Sequence, residues 1–234
     1  MLPKRPRPTP VVELDVLLAL AVLMAAAALF LLLAANLHHS SLRSIDEHLL
    51  LALRTPGDPA DPIGPRWLES VVRDVTALGS RFVLTFVVLA VTGFLALAGR
   101  GRRALAVLAF TVAGALLGET AKLGFGRPRP ELVAHAVDVV SLSFPSAHAM
   151  QSSVVYLTLG ALLARGQPRR ALRAYVMGIA VLLAVMVGAS RVYLGVHWPS
   201  DVVAGWSLGT AWAMACWVAD RMWRRRTSAH RAID

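Results

Sequence analysis

The feature that most constrains this chain is the recurrence of apolar runs about as long as a lipid bilayer is thick. A helix needs about 20 such residues to cross roughly 30 Å of hydrocarbon, because no other open structure satisfies its own backbone groups there. Six stretches qualify, near residues 14–36, 81–99, 103–121, 147–165, 172–190 and 201–220. With 56% hydrophobic and only 16% charged residues, the composition is unusual for a soluble globular domain of this length and points to lipid as the solvent. The expected fold is therefore all-α, a single polytopic membrane domain over residues 1–234 in which six transmembrane helices form a bundle. The first run follows a basic leader, residues 1–13, but exceeds the roughly 7–15 apolar residues of a secretory signal, so an uncleaved first helix is expected.

The net charge of +10 is distributed as a topology signal. Of the 24 Lys and Arg residues, 15 fall on one side of the runs, in the leader, around 100–103 and 165–173, and in the basic tail 221–234; nine fall on the other. The positive-inside rule then puts both termini in the cytoplasm and residues 37–80, 122–146 and 190–200 outside, at the periplasm or exterior of a bacterial inner (plasma) membrane. Short basic clusters between apolar runs are poor evidence for nucleic-acid binding, and no nucleic-acid partner is expected. The single Cys216 lies in an apolar run, cannot form an intramolecular disulfide, and reads as packing.

The external segment 37–80 is the least informative. Ser44 and Glu47 have capping-box spacing ahead of an apolar stripe, which predicts an interfacial amphipathic helix, and "TPGDPADPIGP" reads as a turn-rich linker. His38, His39 and His48 are isolated and receive no role.

The other external loops hold three polar islands: "KLGFGRPRP" (Lys122–Pro130), "FPSAHAM" (Phe144–Met150) and "SRVYLGVHWPSD" (Ser190–Asp201). Ionisable groups at membrane depth are expensive and usually functional. The topology brings all three to one membrane face, making 122–201 the candidate catalytic region. Its chemistry is that of an anion site. Arg129 and Arg191 each offer a planar fork to phosphate oxygens and Lys122 a point charge, which suits the charge spread over a transferring phosphoryl group. Ser146 precedes an apolar helix, so its hydroxyl and the adjacent N–H groups can bind a phosphate oxygen. Pro199 suits a first helical position, which leaves His197 just outside the last helix and Asp201 in its first turn. A carboxylate on one imidazole nitrogen leaves the other bare as a nucleophile, which gives Asp201 a task on His197. His148, on another helix, can protonate the leaving oxygen and later activate water.

At these residues the chain resembles the type 2 phosphatidic acid phosphatase superfamily, whose signature is K-x6-R-P, P-S-G-H and S-R-x5-H-x3-D. The motifs stand here as Lys122, Arg129 and Pro130; Pro145, Ser146 and His148; and Ser190, Arg191, His197 and Asp201. Ala147 replaces the usual glycine, a departure that leaves every side chain of the motif in place. The motifs span 80 residues, and the helix layout extends the match over most of the chain beyond roughly the first 80. The resemblance implies hydrolysis of a lipid phosphate or pyrophosphate (phosphatidate, phosphatidylglycerol phosphate or undecaprenyl pyrophosphate) through a phosphohistidine, with no metal and no cofactor. The superfamily also contains vanadium haloperoxidases, which are soluble, and six spans argue against that branch.

Each residue alone has a blander use. Arg191 and Lys122 suit interfacial anchoring at helix ends, His148 suits helix packing, and Asp201 complements a helix dipole. Three matched spacings make the joint functional reading the stronger one. Arg127 reads as auxiliary or structural, Glu119 as a partner of Lys122 at i,i+3, and the tryptophans from Trp198 to Trp223 as anchors or packing outside the site. Two other classes remain: a lipid phosphotransferase, which would phosphorylate an acceptor hydroxyl, and a non-enzymatic transporter, which would release no phosphate. The external face tilts the substrate towards the polyprenyl pyrophosphate, and composition leaves the oligomeric state open.

Overall fold

The computed structural model describes residues 11–137 and 141–230, with side chains described over 14–137 and 141–224. The expected leader lies largely outside the described residues, as does Arg231 of the expected tail. Eight helices follow one another: α1 (Val11–Ala35), α2 (Ser40–Leu51), α3 (Arg66–Ala77), α4 (Arg81–Leu97), α5 (Gly101–Phe125), α6 (Ala147–Arg165), α7 (Arg170–Tyr193) and α8 (Pro199–His230). Between α2 and α3, the expected linker pairs into a small antiparallel hairpin, β1 (Arg54–Thr55) with β2 (Asp58–Pro62).

Five helices, α1, α5, α6, α7 and α8, are long and apolar enough to cross a membrane. The expected span over 81–99 is different. With 17 residues α4 is too short alone, and it passes the same test only together with α3, from which it is bent by 46°. Ser80 sits at that break and caps α4, its hydroxyl accepting from the Val83 N–H at 3.2 Å. No helix was expected over 66–77 because 12 residues are too few to span, although Arg66, Glu69, Arg73 and Asp74 line one face of α3 and Leu68, Val71, Val72 and Val75 the other. The chain is thus an all-α multi-pass membrane protein with five or six candidate spans. Exposed Leu17, Leu18, Leu31 and Leu32 on α1, and Phe82, Phe86 and Phe94 on α4, form surfaces suited to lipid.

The helix expected at the interface starts earlier than its capping-box spacing suggests. α2 begins at Ser40, which places Ser44 and Glu47 inside it; Glu47 accepts from Arg43 Nε at 2.8 Å rather than closing a capping box.

Helix α6 lies at the centre, packed against α4, α5, α7 and α8, while α1 lies along α8. The α6–α8 contact depends on two glycines four residues apart. A Cβ on Gly205 would come within 2.6 Å of the Ser146 carbonyl oxygen, and one on Gly209 within 2.6 Å of that of Met150. Small residues at this spacing let two backbones touch in a medium that gives no hydrophobic drive for helix association. The start of α6 is thereby held against the start of α8. Phe30, Phe125 and Phe144 cluster beside it, with ring centroids 5.0–6.1 Å apart, and tie α1 and α5 to the segment that enters α6 through a cis Phe144–Pro145 bond.

Candidate active site

The C-terminal ends of α5 and α7 and the N-terminal ends of α6 and α8 meet at one end of the bundle. This gathers Lys122, Arg191, Ser146, His148 and Asp201, with Arg129 and His197 from the adjoining loops.

The His197 ring is 1% exposed. Its Nδ1 faces Asp201 Oδ2 at 3.4 Å and Ser143 Oγ at 3.3 Å, and its Nε2 lies 3.2 Å from Arg129 Nη1. A guanidinium only donates, so Nε2 must present its lone pair and the proton must reside on Nδ1. Burial pushes the His197 pKa down to about 4; Asp201 opposes the shift, and Arg129 and Arg191 add to it. The ring is neutral, with an unprotonated Nε2 whose lone pair faces Arg129.

Asp201 is fully buried and occupied on both oxygens. Oδ1 accepts from Arg127 Nη1 at 2.6 Å; Oδ2 accepts from the Trp198 N–H at 3.0 Å and from the Ser143 hydroxyl. Ser143 was not anticipated: it stands outside every motif, and only the fold brings it to His197. Trp198 also belongs to the site's wall rather than to an interface. It is 6% exposed, its Nε1 donates to the Pro128 carbonyl at 3.1 Å, and Arg127 lies over its ring.

The cations divide into two kinds. Arg127 is buried between carboxylates, while Glu119 accepts from Arg81 at 2.7 Å rather than pairing with Lys122. Lys122 Nζ donates instead to Ser141 Oγ at 3.0 Å, where Arg129 Nη2 also arrives at 3.2 Å; Arg129 Nε donates to the Ser141 carbonyl at 2.7 Å. Arg191 Nη1 donates to Thr76 Oγ1 of α3 at 3.0 Å, and its Nε is buried without a partner. Lys122 and Arg191 are only 5% and 4% exposed, which excludes snorkelling at helix ends. Among the described residues, none of Lys122, Arg129 and Arg191 has a carboxylate oxygen within 4.0 Å.

Ser146 is the N-cap residue of α6, yet its buried Oγ makes no hydrogen bond. The first-turn N–H groups of α6 have no intrahelical acceptors, as at any helix start, and add the positive end of the helix dipole. His148 follows in that first turn, half-buried. A Cβ on Gly79, at the α3–α4 break, would lie 3.3 Å from its Cδ2. The cations that face the ring are Arg191, Lys122 and Arg129, with the His197 imidazole beside them. The seven residues singled out in the sequence therefore gather at one end of the bundle, where the acids are taken up by Arg127 and His197 while Lys122, Arg129 and Arg191 are left without a carboxylate partner.

The pattern of the PAP2 superfamily matches residues 103–225, a stretch that contains all three motifs. Phosphatidylglycerophosphatase B of Bacillus subtilis is 35% identical over 184 residues, 77% of this chain and 85% of that protein. This chain belongs to the PAP2 superfamily. An undecaprenyl-diphosphatase of Sulfolobus acidocaldarius is 36% identical over 109 residues, 44% of this chain and 48% of that protein. The crystal structure of a transmembrane PAP2 type phosphatidylglycerolphosphate phosphatase from Bacillus subtilis superposes with a TM-score of 0.78 at 30% identity, over 86% of this chain and 96% of that one. The bundle described above is thus a membrane PAP2 fold, and its matched segment begins well after α2 and α3.

Proposed function

We propose that this PAP2 protein is an integral-membrane lipid phosphatase that cleaves a phosphomonoester or pyrophosphate at the external membrane face through a phosphohistidine on His197. The observation that carries the proposal is the set of three cations with no carboxylate partner, grouped around an unpartnered serine hydroxyl and a helix N-terminus. Such a set suits a phosphoryl group, which brings the missing charge with it. In the first step Nε2 of His197 attacks phosphorus, the bond from phosphorus to the lipid oxygen breaks, and His148 delivers a proton to that oxygen. Lys122, Arg129, Arg191, Ser146 Oγ and the first-turn N–H groups of α6 hold the phosphoryl oxygens as charge redistributes. Asp201 and Ser143 keep the Nδ1 proton in place. In the second step His148 takes a proton from water, the resulting hydroxide attacks phosphorus, and the nitrogen–phosphorus bond breaks to return Nε2. The donor set is cationic and amide-like, unlike the oxygen cages that Mg²⁺ prefers, so the reaction needs no metal.

Six spans with α3–α4 as one bent crossing and both termini cytoplasmic give this site an outward aspect. That aspect favours a lipid displayed in the outer leaflet, such as undecaprenyl pyrophosphate, whereas the longer alignment is with a phosphatidylglycerophosphatase. Phosphate release from phosphatidate, phosphatidylglycerol phosphate and undecaprenyl pyrophosphate by the purified protein, in detergent with excess chelator, tests both points. Release from at least one lipid under chelation is expected. Release that requires added Mg²⁺ would overturn the mechanism; phosphorylated acceptor without free phosphate would make the protein a phosphotransferase, and no turnover a transporter.

A further inference from the structure

Asp46 on α2 lies outside every motif and outside the segment matched by the superfamily, yet it is 1% exposed and fully engaged. Its Oδ1 accepts from the Ser200 N–H at 2.8 Å, and its Oδ2 from the Ser200 hydroxyl at 2.5 Å and from Arg127 Nη2 at 2.7 Å. The other arm of the same guanidinium, Nη1, donates to Asp201 Oδ1 at 2.6 Å and to Ser200 Oγ at 2.7 Å. Asp201 then presents Oδ2 to His197 Nδ1. A continuous buried chain of alternating charge runs from an external helix to the imidazole.

The two arms of a guanidinium are coplanar, so fixing one fixes the direction of the other. Asp46 thereby determines where Nη1 meets Asp201 and which way that carboxylate turns. The trio also carries one net negative charge on the Nδ1 side of the ring, opposite the excess of cations on the Nε2 side. We propose that Asp46 is a positioning residue of the reaction, acting through Arg127 and Asp201 to orient His197 for attack. The assignment makes α2 part of the catalytic apparatus rather than a membrane-surface ornament, and it rests on the phosphatase reading above.

The test is the full-length Asp46→Asn protein in detergent, with an aryl phosphate as substrate and inorganic phosphate as competitive inhibitor. A misdirected nucleophile should lower kcat at least about tenfold, since misplacements of an ångström cost this much or more. The phosphate-binding cations do not touch Asp46, so KM and the inhibition constant of phosphate should stay within about twofold of wild type. A purely structural Asp46 would instead lower the melting temperature or yield and leave kcat per folded enzyme unchanged. Arg127→Lys provides a second route should Asp46→Asn fail to fold: a lysine keeps the charge but has no planar fork to fix the direction of one carboxylate against the other, and the same selective loss of kcat is expected. Folded protein with wild-type kcat, or phosphate binding that weakens in step with kcat, would overturn the assignment. A wild-type protein that releases phosphate neither from the aryl ester nor from any of the three lipids would sink the phosphatase reading itself, whereas active wild type beside an undiminished Asp46→Asn would sink only this inference.

Discussion

The Ser146 hydroxyl is buried at the N-cap of α6 without a partner in the chain, so its removal should separate stability from activity. A buried unsatisfied hydroxyl contributes nothing to the fold and bears a desolvation cost, so Ser146→Ala should leave the melting temperature unchanged or raise stability by up to about 1 kcal/mol. If the hydroxyl holds a phosphoryl oxygen as charge develops, kcat/KM should fall about 10²-fold. Melting curves and kinetics on the same preparation check both halves. His197 makes a second prediction, on pH. Its folded pKa, about 4, lies below the ordinary imidazole value of 6.5, so the unfolded chain binds the extra proton first. Stability from this residue is complete above pH 6.5 and lost as pH falls towards 4. The melting temperature of wild type should therefore drop more between pH 7 and 4.5 than that of His197→Gln. The i,i+4 spacing of His197 and Asp201 across a helix start is readable in a sequence, and so is the proline that sets that start. Ser143, Asp46 and the pairing of Glu119 with Arg81 are not, because nothing local distinguishes a serine or aspartate that the fold will bury from one that it will leave in water.

Among the elements, the long apolar runs were legible to within a few residues because length and hydropathy alone decide them. The exceptions are the elements that combine charge with apolarity. α2 starts four residues before the apparent capping box, since Arg43–Glu47 is an equally good i,i+4 pair. α3 is too short to be found as a span, although its charged and apolar residues separate onto two faces. The glycine pair on α8 has the G-x-x-x-G spacing of a close helix contact, which can be read in the sequence, but only the fold shows that the helix it meets is α6. Gly205→Ala should test its role, because its Cβ would strike the backbone at Ser146, which cannot yield as a flexible side chain can. A loss of more than about 3 kcal/mol is expected, together with loss of activity. A melting temperature within a few degrees of wild type would show that α6 and α8 are not locked there.

For the molecule as a whole, orientation and chemistry are linked, since four helix ends supply the site and only one face can hold them. In a Cys216→Ala background in intact cells, an impermeant thiol reagent should label Glu131→Cys, an exposed position beside the site, and spare Gly166→Cys at the opposite end of α6. The reverse pattern would invert the topology. The three motifs could be brought to one face from sequence because topology alone does it; which cation meets which acid could not, since Asp46 and Arg127 are 81 residues apart. The most direct test of the mechanism is chemical trapping of the phosphoenzyme. His148→Ala should still form it from an aryl phosphate, whose phenolate leaves without a proton, but should lack the base that activates water. Purified His148→Ala given an aryl ester labelled in its phosphate should give a burst of phenolate and an acid-labile phosphate on His197, followed by slow turnover. His197→Ala should give neither. Label that survives the loss of His197, or no label and equal loss of aryl and lipid activity in both variants, would contradict the phosphohistidine route.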